Sequence, residues 1–188
     1  MAGPTAKEVV KEHVIFVRER NFNLRVESYY VSKLLVLMAI GLIQSLLLFM
    51  IVRIFCGSTG EIPGQWLTFA ALTTCGTTLG LLISTISRTE EVATALVPVV
   101  VIPQIILAGV IVTLSRDSGF AFYLAYSGIS SFWGQRSLEA LLPRVDQIML
   151  NEPDRPFIAQ LAVLCYHAFV FIALTLTVLV IQSRQSRR

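Results

Sequence analysis

Residues 30–52 read YVSKLLVLMAIGLIQSLLLFMIV, a run that is apolar past Lys33 except at Gly41, Gln44 and Ser45. A bilayer core needs about 20 predominantly apolar residues to be crossed as a helix. A helix also satisfies every backbone N–H and C=O within the segment itself, which hydrocarbon demands. Three further blocks have the same character: Trp66 to Ser87, Val92 to Leu114 and Phe157 to Ile181. The expectation is an all-α, polytopic membrane helical bundle with four spans.

Composition points the same way. The 188 residues are 55% hydrophobic and 14% charged, with a mean hydropathy of +0.72. Soluble domains carry about 25% charged residues, and a soluble reading would leave helices that are apolar on every side facing water. The net charge of +3 is small. Its basic residues flank the apolar blocks and form no patch with base-stacking aromatics, which excludes nucleic-acid binding. Cys56, Cys75 and Cys165 have no paired spacing, so neither a disulfide framework nor a metal cluster is indicated.

Ahead of the first block, Lys7 to Lys33 reads KEVVKEHVIFVRERNFNLRVESYYVSK and carries six of the fifteen Lys and Arg residues, interleaved with Glu8, Glu12, Glu19 and Glu27. Such a charged, helix-prone segment joined to a span can be pushed from the water side. The opening MAGPTAKEVVKEH is polar, without an apolar stretch or small-residue cleavage site, so the later spans are expected to drive insertion.

Lys and Arg placement sets the expected orientation. With both termini in the cytosol, ten basic residues lie inside and five outside. The division is a cytosolic amphipathic segment 1–29, a membrane domain 30–182 and a basic cytosolic tail 183–188. The outer connection 115–156 contains a turn at Tyr126 and then a short amphipathic helix. Phe132, Trp133, Leu138, Leu141 and Leu142 form its apolar side and Pro143 ends it, a pattern that suits the membrane interface.

Polar and special residues within spans have both a packing and a functional reading. Gln44 is read first as an interhelix hydrogen bond and second as a substrate contact. Gly76 and Gly80 share a face with Thr73 and Thr77, a small-residue surface for close helix packing or, alternatively, a hydroxyl-lined wet path. Pro98 and Pro103 bend the third span, and bent helices border cavities in transporters. His167 is read as a hydrogen-bonded packing residue, and no span holds Asp or Glu well inside it. An intramembrane enzyme would require Ser130 and His167 to meet. The sequence contains no GxxxxGK[ST] phosphate loop, so ATP hydrolysis by that route is excluded.

The run Val17 to Lys33, VRERNFNLRVESYYVSK, leads into the span containing Gln44. With Gly76 to Ser84, Val97 to Ile111 and the segment around Ser131-Phe-Trp-Gly, it resembles the membrane domain of type-2 ABC exporters. The closer likeness is to the G subfamily of White-type and sterol or multidrug half-transporters. The resemblance covers nearly the whole chain; each motif is weak alone, and their order and spacing carry it. Members of that subfamily have six spans and an ATPase domain, so the expectation is that this sequence corresponds to the last two-thirds of a membrane domain.

The resemblance implies a permease that moves a lipophilic or amphipathic substrate across the cytoplasmic membrane as a dimer. ATP and magnesium would sit on a partner nucleotide-binding domain or subunit, and the chain itself would hold no cofactor, catalytic residue or metal. It implies that Arg18, Glu19, Arg20, Asn21, Asn23 and Arg25 contact that ATPase through a coupling helix. Pro98, Ile102 and Ile105 would border the substrate cavity, and Val110 and Ile111 would form an apolar plug. The segment around Ser131 would be a re-entrant or interfacial helix. The alternative function is a truncated or regulatory, non-transporting membrane subunit that binds a full transporter.

Overall fold

The computed structural model describes residues 26–57, 60–87, 89–109, 119–141 and 156–185, and every regular element among them is helical. The helices are α1 (Val26–Cys56), α2 (Ile62–Ile86), α3 (Glu90–Ile106), α4 (Phe120–Gly128), α5 (Ser130–Glu139) and α6 (Phe157–Gln185). Segments Tyr30–Phe55, Ile62–Ile86 and Phe157–Gln182 are long and apolar enough to cross a membrane. The protein is an all-α membrane helical bundle.

Helix α1 runs unbroken through Ser28, Lys33 and into the apolar block. The end of the charged lead-in and the first span are therefore one continuous helix. Helix α2 begins four residues ahead of the expected block, at Ile62, because Pro63 sits in the first turn. There its missing N–H costs nothing and its fixed φ favours helix. Ser87 follows the last turn of α2 and Thr89 precedes the first turn of α3. The Ser87 hydroxyl and backbone N–H both donate to Ile83 O, at 2.7 and 3.0 Å, and the Thr89 hydroxyl accepts from Val92 N to cap α3.

The third expected span differs. Helix α3 stops at Ile106, and 17 residues reach only about 26 Å, short of a bilayer core of about 30 Å. It passes through Pro98 and Pro103 without interruption. Past its end Gly109 takes a left-handed conformation, φ +94°, which carries the chain off the helical path. The rest of the block to Leu114 lies outside the described residues.

Helix α2 is the centre of the bundle. It packs most extensively against α6 and α1, and also against α5 and α3. Its buried positions fall all round the helix, among them Gly64, Thr68, Ala70, Cys75, Thr78, Leu81 and Ser84. A helix rich in hydroxyls can be buried in an apolar bundle because those hydroxyls close onto its own backbone. Thr68, Thr74, Thr77, Thr78 and Thr85 each donate to the carbonyl four residues earlier at 2.8–3.0 Å. This geometry favours packing over the wet path.

Between membrane helices lipid supplies no hydrophobic drive, so close van der Waals fit and hydrogen bonds hold them together. At the α1–α2 crossing, a Cβ added to Gly41 would stand 2.8 Å from Thr73 Cγ2 and 3.4 Å from Thr77 Oγ1. The Thr73–Thr77 face is therefore a packing face, but Gly41 of the opposite helix makes the close approach. A Cβ at Gly76 would meet nothing within 4 Å, whereas Gly80 is buried. One cluster, Tyr30, Leu81 and Leu179, joins one end of α1, α2 and α6. A second gathers Cys75, Phe122, Ala125, Phe132, Trp133 and Leu164 around α5.

Candidate substrate path and coupling surface

The short amphipathic helix expected around Phe132 and Trp133 is α5, and it is packed into the bundle. Ser130, Gly134 and Ser137 recur at i, i+4 and i+7 and give α5 one flat side. That side runs antiparallel along α2. Ser137 Oγ lies 3.1 Å from Thr68 Oγ1. A Cβ at Gly134 would stand 2.5–2.8 Å from the Leu72 side chain, and one at Gly64 would stand 2.9 Å from Leu141. On its other side Phe132 and Trp133, 2% and 1% exposed, enter an aromatic cluster with Phe122 and Tyr126. Helix α5 is thus enclosed by α2, α6 and α4.

Most of the polar groups that this burial removes from water have been given partners, Glu139 Oε2 being buried without a hydrogen bond. Trp133 Nε1 donates to Tyr126 O at 2.9 Å. The Arg136 guanidinium lies 4.4 Å from the Phe132 ring centroid, over its electron-rich face. Glu139, 5% exposed, accepts from Gln135 Nε2 at 2.9 Å. His167 places Nδ1 3.0 Å from Val163 O and Nε2 3.2 Å from Ser127 O, so it ties α6 to the end of α4. Ser130 donates instead to Gln104, so Ser130 and His167 do not form a nucleophile–base pair. Among the described residues no group of His, Cys, Asp and Glu is placed to hold a metal ion.

Helix α3 is attached differently from the others. Of its side chains Ala93 alone is buried. At the far end Gln104 Oε1 accepts from both Ser130 Oγ and Ser131 Oγ, each at 3.0 Å. Pro98, Ile102 and Ile105 share one face by their spacing. All three are exposed, the isoleucines at 53% and 54%. The resemblance assigned that face to a substrate cavity, and in this chain it is an uncovered apolar surface on a loosely held helix.

Other expected site residues are distributed as follows. Arg18, Glu19, Arg20, Asn21, Asn23 and Arg25 lie outside the described residues, as do Val110 and Ile111. Gln44, expected at a helix–helix contact, is exposed, and its neighbour Ser45 is the buried residue. Gln104, Gly134 and Ser137 are functional positions that the sequence reading did not single out. The small-residue spacing in Ser130, Gly134 and Ser137 was the available signal for the buried face of α5.

A chain built in this way is a multi-pass α-helical membrane protein. Its residues 1–138 match the family model of the ABC-2 type transporter membrane domain, and the chain belongs to that family. A search of curated proteins found no match to it. The family match takes in the charged lead-in and all of α1 to α4, and ends one residue before the end of α5.

Proposed function

We propose that this protein is the permease portion of an ATP-driven exporter with a G-subfamily-like membrane domain, moving a lipophilic or amphipathic substrate across the cytoplasmic membrane. The observation that carries the reading is the family match over residues 1–138. It includes the segment that would dock on an ATPase domain as well as the helices that would form the path. ABC-2 permease domains generally pair with ATP-binding subunits, and the absence of a phosphate loop in this sequence agrees with hydrolysis on such a partner. Magnesium and ATP would be held there, with a second membrane domain completing a dimer. Ten basic residues against five favour cytosolic termini.

In this reading, closure of the ATPase domains pushes the segment containing Arg18, Glu19, Arg20, Asn21, Asn23 and Arg25. Continuity of α1 through Lys33 supports transmission of that push into the membrane without a hinge. Tyr30, packed on Leu81 and Leu179, would carry it to α2 and α6. Helix α3, with its two prolines and few buried side chains, is the element best suited to move. Its Pro98, Ile102 and Ile105 face is apolar and uncharged, which suits a lipophilic cargo.

The test is co-purification with a nucleotide-binding subunit, followed by ATP-dependent uptake of a lipophilic dye into inside-out vesicles. Uptake should fall when Glu19→Ala is combined with changes at Asn21, Asn23 and Arg25. Dye movement indifferent to ATP and to these substitutions would sink the proposal.

A further inference from the structure

Hydroxyls in this bundle commonly direct their proton to their own helix, as Thr74, Thr77 and Thr85 do. Ser130 and Ser131 do otherwise. From the first turn of α5 both donate to one atom of another helix, Gln104 Oε1, each at 3.0 Å. Two donors occupy both lone pairs of that amide oxygen, so the clasp is complete in itself.

The remaining attachments of α3 make this clasp decisive. Ala93, 0% exposed, is the one buried side chain of the helix. It lies about 16 Å from Gln104 along the axis. Val92, Val99, Ile102, Ile105 and Ile106 are exposed, and Leu107, just past the helix end, is only partly buried against the cluster around α5. Among the described residues, α3 is therefore pinned near its start by an apolar contact and near its end by a pair of hydrogen bonds.

The two kinds of attachment respond oppositely to water. In hydrocarbon, parting Gln104 from the serines strands an amide oxygen and two hydroxyls, which is costly. Water offers each group a substitute hydrogen bond and removes most of that cost. An apolar contact such as that of Ala93 is strengthened by water. We propose that the clasp of Gln104 with Ser130 and Ser131 is a water-released latch. It holds α3 against α5 while the path beside them is dry, and it lets that end of α3 swing about Ala93 when the path fills. The place of this movement in a transport cycle rests on the function proposed above; the latch itself does not.

The experiment uses the full chain reconstituted in lipid vesicles together with the subunit that accompanies it. Spin-labelled side chains at Ile102 and Tyr123, both exposed, report the separation of α3 from α4. The expected result is a dominant short separation and a minor longer one. Gln104→Leu, or Ser130→Ala combined with Ser131→Ala, should raise the longer population about tenfold, the bias that two interhelix hydrogen bonds give in lipid. A large polyethylene glycol that withdraws water from the path should lower the longer population in the unmodified protein. A longer population indifferent to both substitutions, or to osmotic pressure, would overturn the latch. In the transport arm, Gln104→Cys with Ser131→Cys is joined by a short bis-thiosulfonate linker that dithiothreitol cleaves. ATP-dependent dye uptake should fall at least fivefold when linked, and recover on cleavage. Equal uptake by the linked and cleaved forms would refute release of the latch as a transport step. Absence of ATP-dependent uptake in the unmodified protein would count against the proposed function alone, and the spin-label distances would then decide the latch.

Discussion

Thr68 and Ser137, 69 residues apart in sequence, place their hydroxyl oxygens 3.1 Å apart at the buried contact of α2 with α5. The Thr68 proton is also directed to Gly64 O at 3.0 Å. A hydroxyl has one proton, so Ser137 donates and Thr68 accepts. The two residues are consequently unequal. Ser137→Ala removes a donor and leaves Thr68 bonded to its own helix, at a cost of about 0.5 kcal/mol. Thr68→Val removes the acceptor and strands a buried hydroxyl, at a cost of about 1–2 kcal/mol. Unfolding in mixed detergent of the two single variants should rank them in that order.

Gly134 decides how closely α5 lies on α2. A methyl group there would overlap the Leu72 side chain, with atoms as close as 2.5 Å. Overpacking of this kind costs about 1–3 kcal/mol. Gly134→Ala should lower the melting temperature of the purified protein, and adding Leu72→Ala should restore most of the loss. If the double variant were no more stable than Gly134→Ala alone, the assigned contact would be wrong.

Gly60 combines a left-handed backbone, φ +107°, with an approach of 2.6 Å between an added Cβ and Leu141 O. Neither the conformation nor the space suits a side chain. Gly60→Ala is expected to cost about 2 kcal/mol or more, and Gly57→Ala less. Gly57 is also left-handed at φ +59°, but its added Cβ would meet nothing within 4 Å. Comparing the two by thermal unfolding separates the steric part from the backbone part.

Gln104 ties α3 to α5 through two hydroxyls. Gln104→Leu should leave the fold intact while loosening α3. A spin-label pair placed on Ile102 and Tyr123, both exposed, should show a broader distance distribution in the variant. An unchanged distribution would mean that α3 is held by something other than this amide.

Some of this was readable residue by residue. The Tyr30 to Val52 run announced its helix through length and composition, because hydrocarbon leaves few other solutions for a backbone. The second and third helices begin at Ile62 and Glu90, ahead of the Trp66 and Val92 expected from apolar composition, because Pro63 and Thr89 are start signals that composition does not register. The end of α3 was not readable: apolar composition continues to Leu114, while the helix stops at Ile106. The enclosure of α5 was also hidden, since Phe132 and Trp133 suit an interface as well as a core.

Sequence by itself determined that this chain is a helical membrane protein, and motif order tied it to the ABC-2 transporters. Both follow from local properties: apolar length, charge flanking and residue spacing. Tertiary structure alone decided which face of each helix meets another. Gly41 and not Gly76 makes the close approach, Ser137 finds Thr68, and Gln44 is left at mid-membrane with no partner among the described residues. Those outcomes depend on the rotation and depth of one helix against the next. In lipid, where every face of such a helix is apolar, composition cannot encode them, and they are set by small side chains and single hydrogen bonds between distant residues.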